Sequence, residues 1–417
     1  MRVVVYPHQL DIGGSQISAI EIAAAVRDLG HEVLVFGQPG PLTDMIAAYD
    51  LEFVAAPLPR GRPSPWVMRA LNRLVTERRI DVVHGYEWTA ALEAYFGPHM
   101  RHRVTAVATV MSMSVAPFLP HDMPLTVGTE QIADHETRAG RRGVTVLEPP
   151  VDTALNAAGA VETADFLHAY ELDPHALKVV SVSRLSATLK LEGLLAAIDA
   201  APDLAATVPM QLIIVGDGPS RPQVEARAAK ANAQAGRRIV VLTGELTDPR
   251  PAYATADICI GMGGSALRSM AFGKPLVVQG EQGFWKLLAP ESVDGLLWTG
   301  WYGVGDGSGH GQSAFSAILR NLLREPDRRA QLGRYARGLV EQRFSRHGAG
   351  ARQLVIYEAA LASEPGRRRD WLAPAGASAR GVAAYRMHSR IDRVLGRAGG
   401  DDFNVTPVAA LAPSRAG

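Results

Sequence analysis

The sequence predicts an α/β protein made of two doubly wound parallel sheets, one per half-chain, facing across a cleft. Three observations carry this. Short apolar runs alternate with helical stretches, the pattern occurs twice around a proline-containing connection, and 417 residues allow two or three domains. Ligands of such sheets bind outside the carboxyl ends of the strands, so the loops at those ends are where chemistry is sought.

In the first half, Val3 to Tyr6 is an apolar run suited to a strand buried on both faces. Pro7 to Ser15 is punctuated by Gly13 and Gly14, a helix is expected over Gln16–Leu29, and His31 to Phe36 returns as a strand. Further strands are expected at Asp81–His84, Arg103–Val110, Leu125–Val127 and Val144–Leu147. Pro149 to Ala176, rich in proline and small residues, is the expected connection. The second series places strands at Val179–Ser183, Leu212–Val215, Ile239–Leu242, Ile258–Ile260 and Leu276–Val278, with helices over Leu191–Ala201 and Arg221–Ala233. From Ser313 the pattern turns helical, with expected helices near Asp327–Phe344 and Ala349–Leu361. The expected boundaries are 1–160, 161–345, a helix at 346–362, and a tail at 363–417. That tail is expected to be largely flexible, with one short helix around Val382–Leu395.

Composition narrows the function. Forty-three basic against 42 acidic side chains leave a net charge of +1, which argues against bulk nucleic-acid binding. The single cysteine, Cys259, excludes an intrachain disulfide framework and suits a reducing cytoplasm. Neither a signal-peptide pattern nor an apolar run of membrane-spanning length is visible, so a cytoplasmic location is expected. The preference for arginine over lysine, with abundant Ala and Gly, points to a high-GC bacterial source. No clustered Cys/His ligands, HExxH or DxD spacing suggests a metal.

Several features could carry chemistry. Asp11-Ile12-Gly13-Gly14-Ser15 joins a strand to a helix start, where glycine lets the backbone approach a ligand and free amides attract an anion; a plain turn reads equally well. Gly261-Met262-Gly263-Gly264-Ser265 repeats this in the second half, with Ser265 as expected N-cap. Arg184 and Lys190 follow a strand and could bracket a diphosphate, the guanidinium as a planar fork and the ammonium as a point charge; a solvated charge pair is the alternative. Gly216-Asp217-Gly218-Pro219 reads as a tight turn. His84 ends a strand near Glu87 and Trp88, and is either structural or a substrate contact. Arg60 to Arg79 interleaves arginines with Trp66, Val67 and Met68, either as a solvated helix face or as a peripheral patch touching a membrane or anionic acceptor.

In serial order these stretches resemble the GT-B glycosyltransferases, specifically the retaining enzymes of glycosyltransferase family 4. The likeness runs from Met1 to about Leu361. It rests on Gly13-Gly14-Ser15-Gln16, Glu148-Pro149-Pro150-Val151-Asp152-Thr153, Val182-Ser183-Arg184-Leu185 with Lys190, and Val215 to Pro219. Tyr253-Ala254-Thr255-Ala256-Asp257 and Ser269-Met270-Ala271-Phe272-Gly273-Lys274-Pro275 add to it. The resemblance implies two Rossmann-like domains, a nucleoside-diphosphate sugar held by the second, a small-molecule or lipid-linked acceptor held by the first, and no further cofactor. It also implies a last helix crossing back to the first domain. Arg184 and Lys190 would then hold the diphosphate, and Gly13, Gly14, Ser15, Gly263, Gly264 and Ser265 would lie against donor phosphate or sugar. Leu246, His84, Met111 and Arg268 complete the substrate contacts expected from the resemblance.

Three departures from the family pattern stand out. Arg268 stands where the second of two glutamates belongs, and no carboxylate occupies Ile260 to Gly263, where the first would fall. Arginine cannot accept the hydrogen bonds a glutamate takes from ribose. Met111 replaces a histidine common after the preceding strand. The readings left open are a transferase with an altered donor, one joining cyclitol-like partners, a non-catalytic binder of nucleotide or partner enzyme, and an epimerase.

Overall fold

The computed structural model describes residues 1–363, 372–394 and 407–408. The chain forms two units, Met1–Pro150 with Arg346–Gly417, and Val151–Ser345. The first boundary lies ten residues before the one expected, because Val151 already pairs with the second unit: its N–H bonds Phe344 O at 2.9 Å, and Val151 bridges Ser345.

The first unit opens with β1 (Arg2–Tyr6), α1 (Gly14–Asp28), β2 (Glu32–Gly37), α2 (Thr43–Ala48) and β3 (Glu52–Ala55). Next come α3 (Pro65–Arg78), β4 (Val82–Tyr86) and α4 (Glu87–Ala94). A π-helical turn over Tyr95–His99 leads to α5 (Met100–His102), then β5 (Thr105–Val110), β6 (Leu125–Val127), α6 (Glu130–Arg138) and β7 (Val144–Val146). The strands form one parallel sheet in the order β3-β2-β1-β4-β5-β6-β7. The short β3 gives no clear strand signal in the sequence, since Glu52-Phe53-Val54-Ala55 is four residues long and only half-buried at the sheet edge.

The second unit begins with α7 (Ala164–Ala169), β8 (Leu177–Val182), α8 (Leu191–Thr207), β9 (Met210–Val215), α9 (Arg221–Ala235) and β10 (Val240–Gly244). It continues through α10 (Arg250–Thr255), β11 (Ile258–Gly261), α11 (Gly264–Ala271), β12 (Leu276–Gln279) and β13 (Trp285–Leu287). Three helices end it: α12 (Val293–Thr299), α13 (Gly311–Arg324) and α14 (Pro326–Arg343). The sheet order is β10-β9-β8-β11-β12-β13, parallel except for the β12–β13 pair.

The central strands of both sheets are buried on both faces, which is why they read as apolar runs. The chain then returns to the first unit as α15 (Arg346–Ala362). Gly350 permits this: a Cβ there would sit 2.7 Å from Ala25 Cβ on α1. Ala349, Tyr357 and Ala360 complete a core with Ile20, Ala23, Ala24, Val35 and Val107. The tail contradicts its expected flexibility over Leu372–Val394, where an Ala-rich stretch of 23 residues is one helix, α16. Its Ala375 and Val382 enter the first unit's core. Arg367 to Arg369 lie outside the described residues.

Each sheet reverses its winding once, between β1 and β4 and between β8 and β11. There the loops leave in opposite directions and open a crevice at the carboxyl ends, the usual ligand position in this architecture.

Candidate functional site

In the second unit the reversal is flanked by the loop after β8, carrying Arg184 and Lys190, and by the glycine loop after β11. The β8 loop is fixed from below by the Gly216-Asp217-Gly218 turn, which does more than reverse the chain. Leu185 N–H bonds Asp217 O at 2.9 Å, Ser183 N–H bonds Val215 O at 2.9 Å, and Ser220 N–H bonds Leu185 O at 3.0 Å. A Cβ on Gly216 would lie 2.0 Å from Ser183 O, and one on Gly218 would lie 2.4 Å from Leu185 O; both have left-handed φ, +138° and +156°. We expect Gly216→Ala to cost about 1–3 kcal/mol of stability through backbone strain and to weaken nucleotide binding by moving Arg184. Melting curves and titration of nucleoside diphosphates check this.

Lys190 caps the start of α8. Burial pulls its ammonium down to about 8, yet it forms no hydrogen bond or ion pair among the described residues. The contrast with other enclosed lysines is informative. Lys178 Nζ donates to Asp173 O and Ala176 O, each at 2.6 Å, and Lys274 Nζ donates to Ala254 O at 2.8 Å. A desolvated cation without a partner favours an anion. The Arg184 side chain is exposed and likewise without a partner among the described residues.

Carboxylates that the sequence did not single out brace this region. Glu281 accepts from Leu189 N–H at 3.1 Å and from Tyr302 Oη at 2.5 Å. Glu192, in the first turn of α8, accepts from the N–H groups of Gln282 and Gly283 at 2.8 and 2.6 Å. The segment from Trp298 to His310 is partly built in: Trp301 and Tyr302 are buried, and Gly263 N–H bonds Trp301 O at 3.1 Å.

At the glycine loop, Gly263 caps α11 with φ +52°, a position suited to glycine, and Ser265 is not the cap. Ser265 Oγ instead bonds within the loop, donating to Met262 O at 2.9 Å and accepting from Met262 N–H at 3.1 Å. Arg268 is half-buried and folds back along α11, its Nη1 lying 3.4 Å from Gly264 O. Its guanidinium thus stands beside the glycine loop rather than pointing outward. Leu246, following β10, packs against the core of Val241, Ala252 and Tyr253.

In the first unit the crevice is organised by Glu87, which the sequence offered only as a neighbour of His84. It opens α4 with φ +64°, and its carboxylate accepts from Ser15 Oγ at 2.6 Å, Met111 N–H at 3.0 Å and Ser112 Oγ at 2.6 Å. One carboxylate therefore joins the β1, β4 and β5 loops across the winding reversal. Gly13 caps α1 without a side-chain cap bond, and Gly14 has open space at its Cβ position, leaving the helix start accessible. Met111 contributes its backbone to Glu87, and its sulfur packs under Gly128.

His84 is corrected from substrate contact to structural residue. It is fully buried, with Nδ1 2.7 Å from Tyr357 Oη and Nε2 2.6 Å from Thr109 Oγ1. Burial lowers its pKa to about 3, so the ring is neutral and serves to tie α15 to the sheet. Arg62 also leaves the expected basic patch, turning inward to pair with Glu93 at 2.6 Å. Arg69 and Arg73 stay exposed on α3, with Arg69 over the Trp66 ring at 5.2 Å.

Comparison with known proteins agrees with this division. Residues 12–127 match the family described as Glycosyltransferase Family 4, and residues 176–300 match the one described as Glycosyl transferases group 1. A phosphatidyl-myo-inositol mannosyltransferase of Mycolicibacterium smegmatis is 28% identical over 247 residues, 52% of this chain and 59% of that protein. The match thus spans under two thirds of that relative. A glycosyltransferase of Rickettsia africae shares the fold over 87% of this chain and 99% of its own, with a TM-score of 0.65 at 15% identity. Anabaena HepE, solved with UDP-glucose, covers 86% of this chain and 100% of its own, with a TM-score of 0.67 at 15% identity. The fold is the GT-B fold. Each half of the chain carries a segment that matches a glycosyltransferase family model, residues 12–127 in the first unit and 176–300 in the second.

Proposed function

We propose that the protein transfers a glycosyl group from a nucleoside-diphosphate sugar, held by the second unit, to a hydroxyl of a small-molecule or lipid-linked acceptor, held by the first. Retention of configuration and independence from a metal ion belong to this reading. Its main support is Lys190, a desolvated ammonium without a partner among the described residues, on the same loop as Arg184. In the reaction the bond from the anomeric carbon to the diphosphate oxygen breaks with its electron pair going to the leaving group. The acceptor oxygen bonds the same carbon, and its proton passes to the departing phosphate. Arg184 and Lys190 would neutralise the charge growing there, the kind of preorganised stabilisation that lowers such barriers. Exposed Trp66, Arg69 and Arg73 support a peripheral contact with an anionic surface on the acceptor side.

The test is a melting-temperature screen of nucleoside diphosphates and their sugars. A ligand at 100 times its Kd adds about 2.7 kcal/mol of stability, so the correct nucleotide must raise the transition. Affinity should hold steady below pH 8 and fall above it, because free Lys190 loses its proton near that value while a bound diphosphate keeps it charged. If no nucleotide shifts the transition, the proposal fails. Arg268 beside the glycine loop favours a second reading, a nucleotide binder without turnover. Binding without detectable sugar release or transfer would select it.

A further inference from the structure

Leu189, the residue before Lys190, has φ +67°, a left-handed conformation that a leucine keeps only where its surroundings over-determine it. One constraint comes from α8, where Lys190 O accepts from Leu194 N–H at 3.1 Å. The other is Glu281, whose Oε1 accepts from Leu189 N–H at 3.1 Å. Ser186, earlier in the loop, bonds within it: its N–H donates to Arg184 O at 3.0 Å and its hydroxyl to Thr188 O at 2.9 Å. Glu281 is thus an anchor brought to the loop from β12's far end.

Glu281 is itself fixed three times. Its N–H donates to Gly303 O at 3.1 Å, its carbonyl accepts from Gly305 N–H at 2.9 Å, and its Oε2 accepts from Tyr302 Oη at 2.5 Å. The two segments lie so close that a Cβ on Gly280 would sit 1.9 Å from Gly303 O. Burial, and then the Glu281 carboxylate, hold the Tyr302 phenol far above its ordinary pKa, so it stays a donor. The same segment reaches the glycine loop through Trp301 O, which accepts from Gly263 N–H. A carboxylate this close to a lysine could instead serve as its counter-ion. Lys190, however, has no ion pair among the described residues, and burial is the cause of its lowered pKa, with no part played by Glu281 or Glu192. The Glu281 oxygens are spent on the main chain and on Tyr302, which leaves the ammonium for a ligand.

We propose that Glu281 is a positioning residue: steered by Tyr302, it fixes through Leu189 N–H the turn that presents the Lys190 ammonium to an anionic ligand. That this ligand is the leaving diphosphate rests on the transfer reading above; the positioning does not.

The experiment reads Lys190 directly, by competitive acetylation of the full chain with acetic anhydride across pH and peptide mass spectrometry. Exposed Lys230 on α9 is the internal reference. In the parent, Lys190 is expected to titrate at about 8. Glu281→Ala should free the turn, let the ammonium reach water and raise the midpoint above about 9. The sign separates the causes, because loss of a neighbouring negative charge alone would lower it. Glu281→Gln keeps an acceptor for Leu189 N–H and should return the midpoint to about 8, and Tyr302→Phe should fall between. Inorganic pyrophosphate should protect Lys190 in the parent, and Glu281→Ala should need about tenfold more of it. A parent midpoint at the ordinary 10.5 overturns the proposal. So does a midpoint that stays or falls in Glu281→Ala, or one that rises equally in Glu281→Gln. If Glu281→Ala does not fold, Tyr302→Phe decides, an unchanged midpoint being fatal. Midpoints that move as expected without protection by pyrophosphate leave the positioning standing while the diphosphate reading falls. Equal protection of parent and Glu281→Ala does the reverse.

Discussion

Lys190→Met is expected to weaken nucleoside-diphosphate binding by about 10- to 150-fold, the loss of one charge-assisted contact of about 1.5–3 kcal/mol, while the protein melts at or above the parent temperature. The two effects share a cause. Burial lowers the Lys190 ammonium from its ordinary 10.5 to about 8. Between these values the unfolded chain holds the proton more tightly than the folded one, so stability rises with pH through this window. At pH 7 the charged form therefore burdens the folded state. Methionine removes that burden with a chain of similar reach and nothing to desolvate. Activity and stability trading off at one residue is a mark of a functional group. Isothermal titration of nucleotide with parallel melting curves checks both halves. Unchanged affinity, or a melting temperature several degrees lower, would show that Lys190 is a structural cation.

Glu93→Ala should destabilise the first unit by about 3 kcal/mol, the lower end for breaking a buried ion pair. Glu93 has no exposed side-chain surface and Arg62 is 17% exposed. The carboxylate accepts from Arg62 at 2.6 Å, from Tyr6 Oη at 2.5 Å and from Ser64 N–H at 2.7 Å, so its loss strands three donors. Burial pushes the Glu93 carboxyl up, with the Arg62 charge opposing it. These bonds hold the segment between β3 and α3 against the ends of β1 and α4, and the variant should loosen that segment as well. Denaturant unfolding of the parent, Glu93→Ala and the double variant Arg62→Met/Glu93→Met measures it. The double variant should regain part of the loss, since no charge is then left buried although the Tyr6 hydroxyl and the Ser64 N–H still lack an acceptor. A single-variant cost below half a kcal/mol would contradict the account.

Much of the architecture was legible because the central strands of both sheets are covered on both faces. Strands in that setting need no polar side, so Val3–Tyr6 and Leu212–Val215 read directly as apolar runs. The loops were legible where glycine marks a close approach, as at Gly216 and Gly218, although what those glycines approach was not. Glu87 escaped notice because its importance comes from three partners 72, 24 and 25 positions away. Glu281 and Tyr302 form a similar long-range pair. His84 misled for the opposite reason: a histidine ending a strand looks available until Tyr357, 273 residues later, closes over it. The α16 helix was partly visible as alanine-rich sequence, but Pro374, Gly376 and Gly381 concealed its length.

That late closure has a consequence for biogenesis. On the ribosome the opening 150 residues emerge long before α15, so the apolar faces of α1 and its neighbouring strands wait uncovered while the intervening unit is made. The inserted unit owns all its strands and can complete itself first. The segment made before the inserted unit is consequently completed after it, and its exposed interval during translation is where chaperone capture and misassociation would concentrate.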